Sequence, residues 1–489
     1  RQQFDYQTRS GSKLFKGNTV LVYSDFENNF PFPPKFFGNE VAVTTEEAYK
    51  KDSSYWNSAR PEPLTIDQQK MVAYRDSVEV AHKNRTYLDS IEARFNRVTV
   101  GEILYNDIGF RRDSTKRSIY FSSLLSTVGF EVVGGWRFGP NVRYFKQFDN
   151  ARWLFTSAHV NFGLKNSDVQ GSYGFQTMYN PRKQGFLWFR TGRSFYSINS
   201  FDAYLNQLKA SNYILHDFGS IFHRRELFNG FFVETNVDFS NRQSVAGYDA
   251  TSVINEIIEE GEALKFEAYR AFITRARVSY TPGQQYMTEP NRKVILGSKY
   301  PTFSLTHRKG WRGPFGSHVN FDYLEVGVEQ NLLLGTLGNS KYTLLTGKFV
   351  NSRGLPFIDL KRFRQSDPYL MSDPRYSFQL LDTAMSTTGI FLEGHYIHHF
   401  NGAMINNIPL VKKLRLQTVA GGGFMWVKEN NYRHEELFAG VERIFKLGAR
   451  RRLRLGVYGV LGQSNAQAPR ADWKVSFDII DMWKREWSY

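Results

Sequence analysis

The segment EGHYIHH places Glu393, His395 and His399 on one face of a candidate strand, the residue types that bind zinc or related metals. Same-face neighbours on a strand stand about 7 Å apart, so two of them can hold one ion only with ligands from elsewhere. No second histidine cluster supplies those ligands. The three are therefore read as facing an interior or an interface, with no metal and no cofactor expected. A hydrolase needs a serine beside a histidine and a group that orients the histidine. His159, His223 and several serines are present, but spacing along barrel strands says nothing about proximity without the register. GSYGF and GGGF lead into no helix, so neither is a phosphate loop. They read as strand glycines that allow a bend or a close approach. No enzyme activity is expected.

A second group is basic. LKRFRQSDPY carries Lys361, Arg362 and Arg364 close to Asp367. Two readings stand. The segment folds into the interior of a sheet, where an arginine pairs with a wall carboxylate, or it is a solvated outer loop. Glu393 is the partner expected under the first, because it lies opposite Ile390, Leu392 and Tyr396 on its strand. Such a buried pair fixes position more than it adds stability.

The third group closes the chain. In WKVSFDII, Trp473, Val475, Phe477 and Ile479 alternate with Lys474, Ser476 and Asp478. Trp483, Trp487 and Tyr489 follow as an aromatic finish. Termini usually fray, and a two-faced strand there predicts one that closes a barrel, with aromatics at a membrane interface.

The elements that must position these groups are strands. The chain has 489 residues, 41% hydrophobic and 16% aromatic, with 42 Phe and 27 Tyr. No apolar run reaches the roughly 18 to 20 residues of a helical span. A barrel passes that test, because only alternate residues of its strands meet lipid. Cysteine is absent, so disulfides and thiolate metal sites are excluded. The net charge of +16 fits lipid phosphates or a basic interior. Nucleic acid is not an expected partner, since no motif for it occurs and the basic residues are dispersed.

Residues 1–115 differ from the rest. DFENNFPFPPKFFGNEV is Pro- and Phe-rich and must be extended or turning. Thr65 and Gln68 have capping-box spacing, and no Gly or Pro interrupts the stretch to Phe95, which predicts one long helix over about 65–95. From about 128 the apolar period becomes two, as in FITRARVSY, LRLQTVAGGGFMW and RLRLGVYGV. The fold class read from this is all-β. A transmembrane antiparallel β-barrel of about 16 strands spans 116–489, preceded by a short periplasmic segment with the helix. A long loop covers 351–386, and an insertion at 241–262 reads as a short acidic helix.

At YWNSARPEPLT (Tyr55 to Thr65), followed by YLDSI and the strands, the chain resembles a Bacteroidota outer-membrane family of unknown function. In that family a carboxypeptidase-regulatory-like β-sandwich precedes a C-terminal barrel. SRGLPFIDL and NNIPLVKKLRLQ match its later blocks, and the resemblance covers most of 50–489. These residues include no counterpart of the β-sandwich. More distantly, the chain resembles the BamA/TamA-type barrel superfamily, where a long outer loop folds into the lumen before the last five strands. Candidate strands at about 387–400, 411–427, 435–446, 451–463 and 472–480 follow the 351–386 loop here. The superfamily's Arg-Gly-aromatic loop tip is replaced by Arg353-Gly354-Leu355. This departure bears on the insertase mechanism and leaves the architecture in place.

The resemblance implies an outer-membrane location with the N-terminal segment in the periplasm. The partners implied are lipid, lipopolysaccharide and other assembly or secretion proteins. It implies a component of an assembly or translocation complex, working through a weak seam between a first strand near 132–145 and Val475 to Ile479. The alternative is a passive or plugged pore, or a scaffold docking periplasmic partners through the helix.

Overall fold

The computed structural model describes residues 2–7, 14–19, 27–33, 36–60, 63–199, 207–248, 262–381, 385–405, 408–447 and 451–481. Among the described residues five helices occupy the approach to the sheet: α1 (Glu46–Tyr49), α2 (Ser53–Ala59), α3 (Ile66–Lys83), α4 (Arg85–Phe95) and α5 (Val100–Leu104). The capping box forms as the spacing predicts, with the Thr65 amide donating to Gln68 Oε1 at 3.0 Å and the Gln68 amide to Thr65 Oγ1 at 3.4 Å. The single helix over 65–95 does not form. Asn84 takes extended dihedrals and its side chain accepts from the Thr86 amide at 3.0 Å, so it caps a second helix. An asparagine can interrupt a run that holds neither Gly nor Pro.

The rest is antiparallel sheet. Its strands are β1 (Ile108–Arg112), β2 (Arg117–Phe121), β3 (Val128–Glu131), β4 (Gly135–Phe138), β5 (Asn141–Gln147), β6 (Trp153–Gly163), β7 (Asp168–Asn180), β8 (Gly185–Ser197), β9 (Tyr213–Phe228) and β10 (Phe231–Ser244). There follow β11 (Tyr269–Tyr280), β12 (Thr302–Gly310), β13 (Asn320–Leu333), β14 (Asn339–Gly354), β15 (Phe391–His399), β16 (Leu416–Val427), β17 (Tyr432–Leu447), β18 (Arg451–Ser464) and β19 (Arg470–Asp481). β1 and β19 are the first and last strands of this sheet.

Two boundaries move from their expected places. The sheet starts at Ile108 rather than 116, because β1 and β2 pair as a hairpin and β2 pairs directly with β5. The first strand of the sheet is therefore β1 and not a strand near 132–145, a stretch that holds β4 and most of β5. Among the described residues nineteen strand segments belong to the sheet, where about sixteen strands were expected. The excess lies in short segments before residue 141, such as the β3–β4 hairpin. Of the expected insertion at 241–262, residues 241–244 belong to β10 and 249–261 lie outside the described residues. A small separate sheet joins Glu40–Val43, in parallel, to the hairpin Gln285–Thr288 and Lys293–Gly297.

The faces of the large sheet are chemically opposite. On β19, Trp473, Phe477 and Ile479 are 58%, 61% and 57% exposed, while Lys474 between them is 1% exposed. On β17 and β18, Leu437, Val457 and Leu461 point outward and Glu436, Glu442 and Arg454 point inward and are buried. Registers Val441↔Val457 and Val457↔Val475 carry the apolar face from strand to strand.

Candidate functional site

The segment between β14 and β15 folds against the inner face. Phe363, Phe378 and Leu381 from this loop join Ile273, Phe321, Tyr323, Phe349, Phe391 and Met425 from the wall in one buried cluster. Met371 and Leu380 join Ile397, Val419, Phe438, Tyr458 and Val460 in another. Of the two readings of the basic loop, the inward one describes its position.

Four of its polar contacts with the wall show how the loop is fixed. The first inverts the expected polarity. The loop supplies the carboxylate, Asp359, and the wall supplies the arginines. Arg242 on β10 donates to Asp359 through Nη1 at 2.6 Å and Nη2 at 3.5 Å, and Arg308 on β12 donates to its carbonyl. At the second, Glu393 does receive a loop cation, but from Lys361 at 2.8 Å rather than from an arginine. Lys361 Nζ also lies 4.7 Å from the centroid of the Phe391 ring. His395 Nε2 lies 3.1 Å from the other Glu393 oxygen, while His399 stands 3.8 Å from Glu442. The three residues of the metal motif thus engage protein groups on two different partners.

The third contact is Glu436, whose carboxylate accepts from the Gln379 amide at 2.8 Å and the Leu380 amide at 3.0 Å. The fourth is Glu429 in the β16–β17 turn. It accepts from the Thr387 hydroxyl at 2.8 Å, the Thr388 hydroxyl at 3.0 Å and the Thr388 amide at 3.2 Å. These bonds, the Thr387 hydroxyl foremost, hold its carboxyl below the usual carboxylate range.

The remaining expected residues separate. Arg353 and Gly354 end β14, and Gly354 pairs with Asn320. Arg362 turns back on its own loop and donates to the Ile358 carbonyl at 2.8 Å and to that of Phe357. Arg364 lies in a two-residue strand paired with Ser377, and Asp367 is buried and accepts from Lys474 through its carbonyl. Trp473, Val475, Phe477 and Ile479 all lie on the outward face of β19. Trp483, Trp487 and Tyr489 lie outside the described residues.

Arg242, Asp359, Glu429 and Glu436 were not singled out from the sequence. Their one legible signal is a charge placed at an inward position of an alternating strand, or at the turn beside it.

These features define a class: a large antiparallel sheet, apolar outside and charged inside, with a loop packed into its interior. The chain belongs to the DUF5686 family of unknown function, whose C-terminal domain it matches over residues 101–441. Among solved structures it is similar to BamA from Haemophilus ducreyi lacking POTRA domains 1–3, at 9% identity and a TM-score of 0.41, covering 91% of this chain and 83% of that one. It is also similar to Wzi, an outer-membrane carbohydrate-binding β-barrel involved in group 1 capsule assembly in Escherichia coli. That match has 8% identity and a TM-score of 0.33, covering 75% of this chain and 78% of that one. No curated protein matches the sequence.

Proposed function

We propose that the chain is a closed transmembrane β-barrel of about sixteen long strands in the outer membrane, and that it serves in an outer-membrane protein assembly or translocation complex. The membrane reading rests on the outward face, where Leu, Val, Phe and Trp alternate with buried charges, the pattern of a lipid-facing wall. Lipid and lipopolysaccharide contact that wall, and residues ahead of Ile108 lie in the periplasm. The assembly reading rests on one observation. The first strand of the sheet has five residues and the last has twelve. A mismatch of that size leaves strand edge for another chain to use. The role is non-enzymatic.

A second reading has its own support. The interior is packed by loop residues from Phe363 to Leu381, which suits a plugged pore or a structural scaffold with α3 and α4 as the docking element.

Mild-detergent affinity purification from native outer membrane, with mass spectrometry of the eluate, tests the first reading. Outer-membrane assembly or secretion proteins are expected in near-equal amount. Recovery of the barrel alone overturns membership of a complex, and conductance in planar bilayers then becomes the test of the pore reading.

A further inference from the structure

One row of side chains crosses six strands of the inner face without a break. Gln176 on β7 stands opposite Trp188 on β8, Trp188 opposite Phe222 on β9, and Phe222 opposite Asn236 on β10. Asn236 stands opposite Arg275 on β11, and Arg275 opposite Arg308 on β12. Directly opposed residues of an antiparallel pair hold their Cβ atoms about 4.5–5.5 Å apart, so each lies within reach of the next. The row faces inward. Asn236 shares its side of β10 with Arg242, which holds Asp359 of the loop, and Arg275 shares its side of β11 with Ile273, which packs in the buried loop cluster. Residues of the opposite parity, such as Ile221 and Val237, are exposed on the outer face.

The loop leaves this part of the wall uncovered. The wall aromatics of β13, β14 and β15 are buried in one cluster with Phe363 and Phe378 of the loop. Among the described residues, Phe186, Trp188 and Phe222 join no such cluster, and they are only half-buried. They border a cavity of about 510 Å³ together with Gln176, Asn236, Arg275 and Arg277. That volume lies within the range of pockets that hold small molecules, about 300–1,000 Å³.

The polar groups around the cavity have capacity to spare. The Ser220 hydroxyl donates to Asn236 Oδ1 at 3.2 Å, which leaves the Asn236 Nδ2 hydrogens for another acceptor. The lining holds two arginines, Arg275 and Arg277, against one carboxylate, Glu234, and Glu234 already pairs with Arg224 on its own neighbouring strand at 3.5 Å. Arg277 has Glu329 at 3.6 Å, long for a charge-assisted hydrogen bond. Among the described residues Arg275 has no ion pair. Opposite it stands a second guanidinium, Arg308, whose nearby carboxylate, Asp359, is shared with Arg242. Like charges opposed on neighbouring strands are destabilising, so an anion beside Arg275 relieves a repulsion built into the wall.

A bare anion uses the guanidinium groups and not the rings, and an apolar ligand uses the rings and not the guanidinium groups. A sugar acid uses both. Its C–H faces cover aromatic surface, its hydroxyls bond to carboxamides, and its anionic group takes the fork of an arginine. We propose that the inner face of β7–β11 binds an acidic sugar unit, one that bears a carboxylate or a phosphate. Trp188 and Phe222 lie under its ring, Gln176 and Asn236 meet its hydroxyls, and Arg275 with Arg277 holds its anion. The order of the row sets the orientation, with the ring toward β8 and β9 and the anion toward β11. The site goes beyond the assembly reading and stands whether or not the chain joins a complex.

The test is isothermal titration calorimetry of the full-length protein in detergent at low salt. Trigalacturonate and glucose 6-phosphate are the acidic probes, galactotriose is the neutral sugar, and inorganic phosphate and benzoate are anions without a sugar ring. An acidic sugar is expected to bind at least about tenfold tighter than any of the other three, the scale of one hydrogen bond to a charged group. Preference for trigalacturonate marks the anion as a carboxylate, and preference for glucose 6-phosphate marks it as a phosphate. Arg275→Gln should weaken that binding about tenfold and Trp188→Leu about fivefold. Arg193→Gln removes the same charge from the outer face, where Arg193 pairs with Asp217, and should leave the affinity unchanged. Each variant is first shown to migrate as the folded, heat-modifiable species. The proposal is overturned if the folded wild type binds neither acidic sugar, or binds galactotriose, inorganic phosphate or benzoate as tightly. Unchanged affinity in Arg275→Gln, or an equal loss in Arg193→Gln, overturns it as well.

Discussion

Removing the Asp359 carboxylate is the sharpest test of how the loop is held. Asp359 and Arg242 are 8% and 9% exposed, and Arg308 is the second cation beside the same carboxylate, with Nη1 3.9 Å away. Asp359→Ala leaves two guanidinium groups facing each other in a buried site. Breaking one side of a buried pair costs about 3–5 kcal/mol, most of it from the charge left uncompensated. At about 1.4 kcal/mol per factor of ten, the docked loop loses roughly two to three and a half orders of magnitude against the undocked one. Trypsin reports this directly, since Lys361, Arg362, Arg364 and Arg375 become cleavable when the segment leaves the interior. The folded barrel is the internal control. Replacing both partners with apolar residues of similar size, as in Arg242→Met/Asp359→Leu, is expected to restore most protection, because no charge then remains unpaired. Trypsin resistance of Asp359→Ala equal to wild type would refute the pinning role. So would a double variant more labile than the single one, since the cost would then not be the orphaned cations.

Other expectations are more local. Phe378→Ala removes a fully buried ring from the loop cluster and costs about 3–5 kcal/mol of docking, read by hydrogen exchange across 363–381. Gly423→Val acts from the wall, since a Cβ there stands 3.1 Å from the Phe378 ring; a loop as protected as wild type would contradict the packing. Glu429 has its pKa lowered in the folded state, so its contribution is complete above the ordinary carboxylate value of about 4.3 and is lost as pH falls through the lower folded value. Protection of the Thr387–Gly389 amides, relative to their intrinsic exchange rates, should therefore be constant from neutral pH down to that range and fall in stronger acid. Glu429→Gln should abolish the dependence. Val457→Arg places a charge on the outer wall, at a cost of roughly 2–4 kcal/mol near a bilayer midplane. It should lower the yield of heat-modifiable barrel in vesicles, whereas an unchanged yield would remove the lipid-facing assignment.

The strands were legible because alternation is a local property. Trp473, Val475, Phe477 and Ile479 share a face whatever they meet, and the last four strands fall within a few residues of their expected limits. The Thr65 cap was legible for the same reason, since its partner is three residues away. The break at Asn84 was not, because an asparagine cap competes with continued helix at small cost either way. The inner charges were readable as inward positions but not as pairs. Which wall residue meets Asp359 or Lys361 depends on register across many strands, and a one-residue slip would turn Arg242 outward. The contacts of the first and last strands are more remote still. Nothing in the local pattern of Asn96 or Leu370 marks it as the partner of Arg111 or of Val475, which lie 15 residues away in one case and far along the chain in the other. The sequence alone determined the alternating strands, their two chemically opposite faces and the absence of a spanning helix, through periodicities of a few residues. Only the tertiary structure decided which charges meet, where the loop lies and what covers each edge, because backbone and charge partners far apart in the chain are matched only when the whole sheet takes its register.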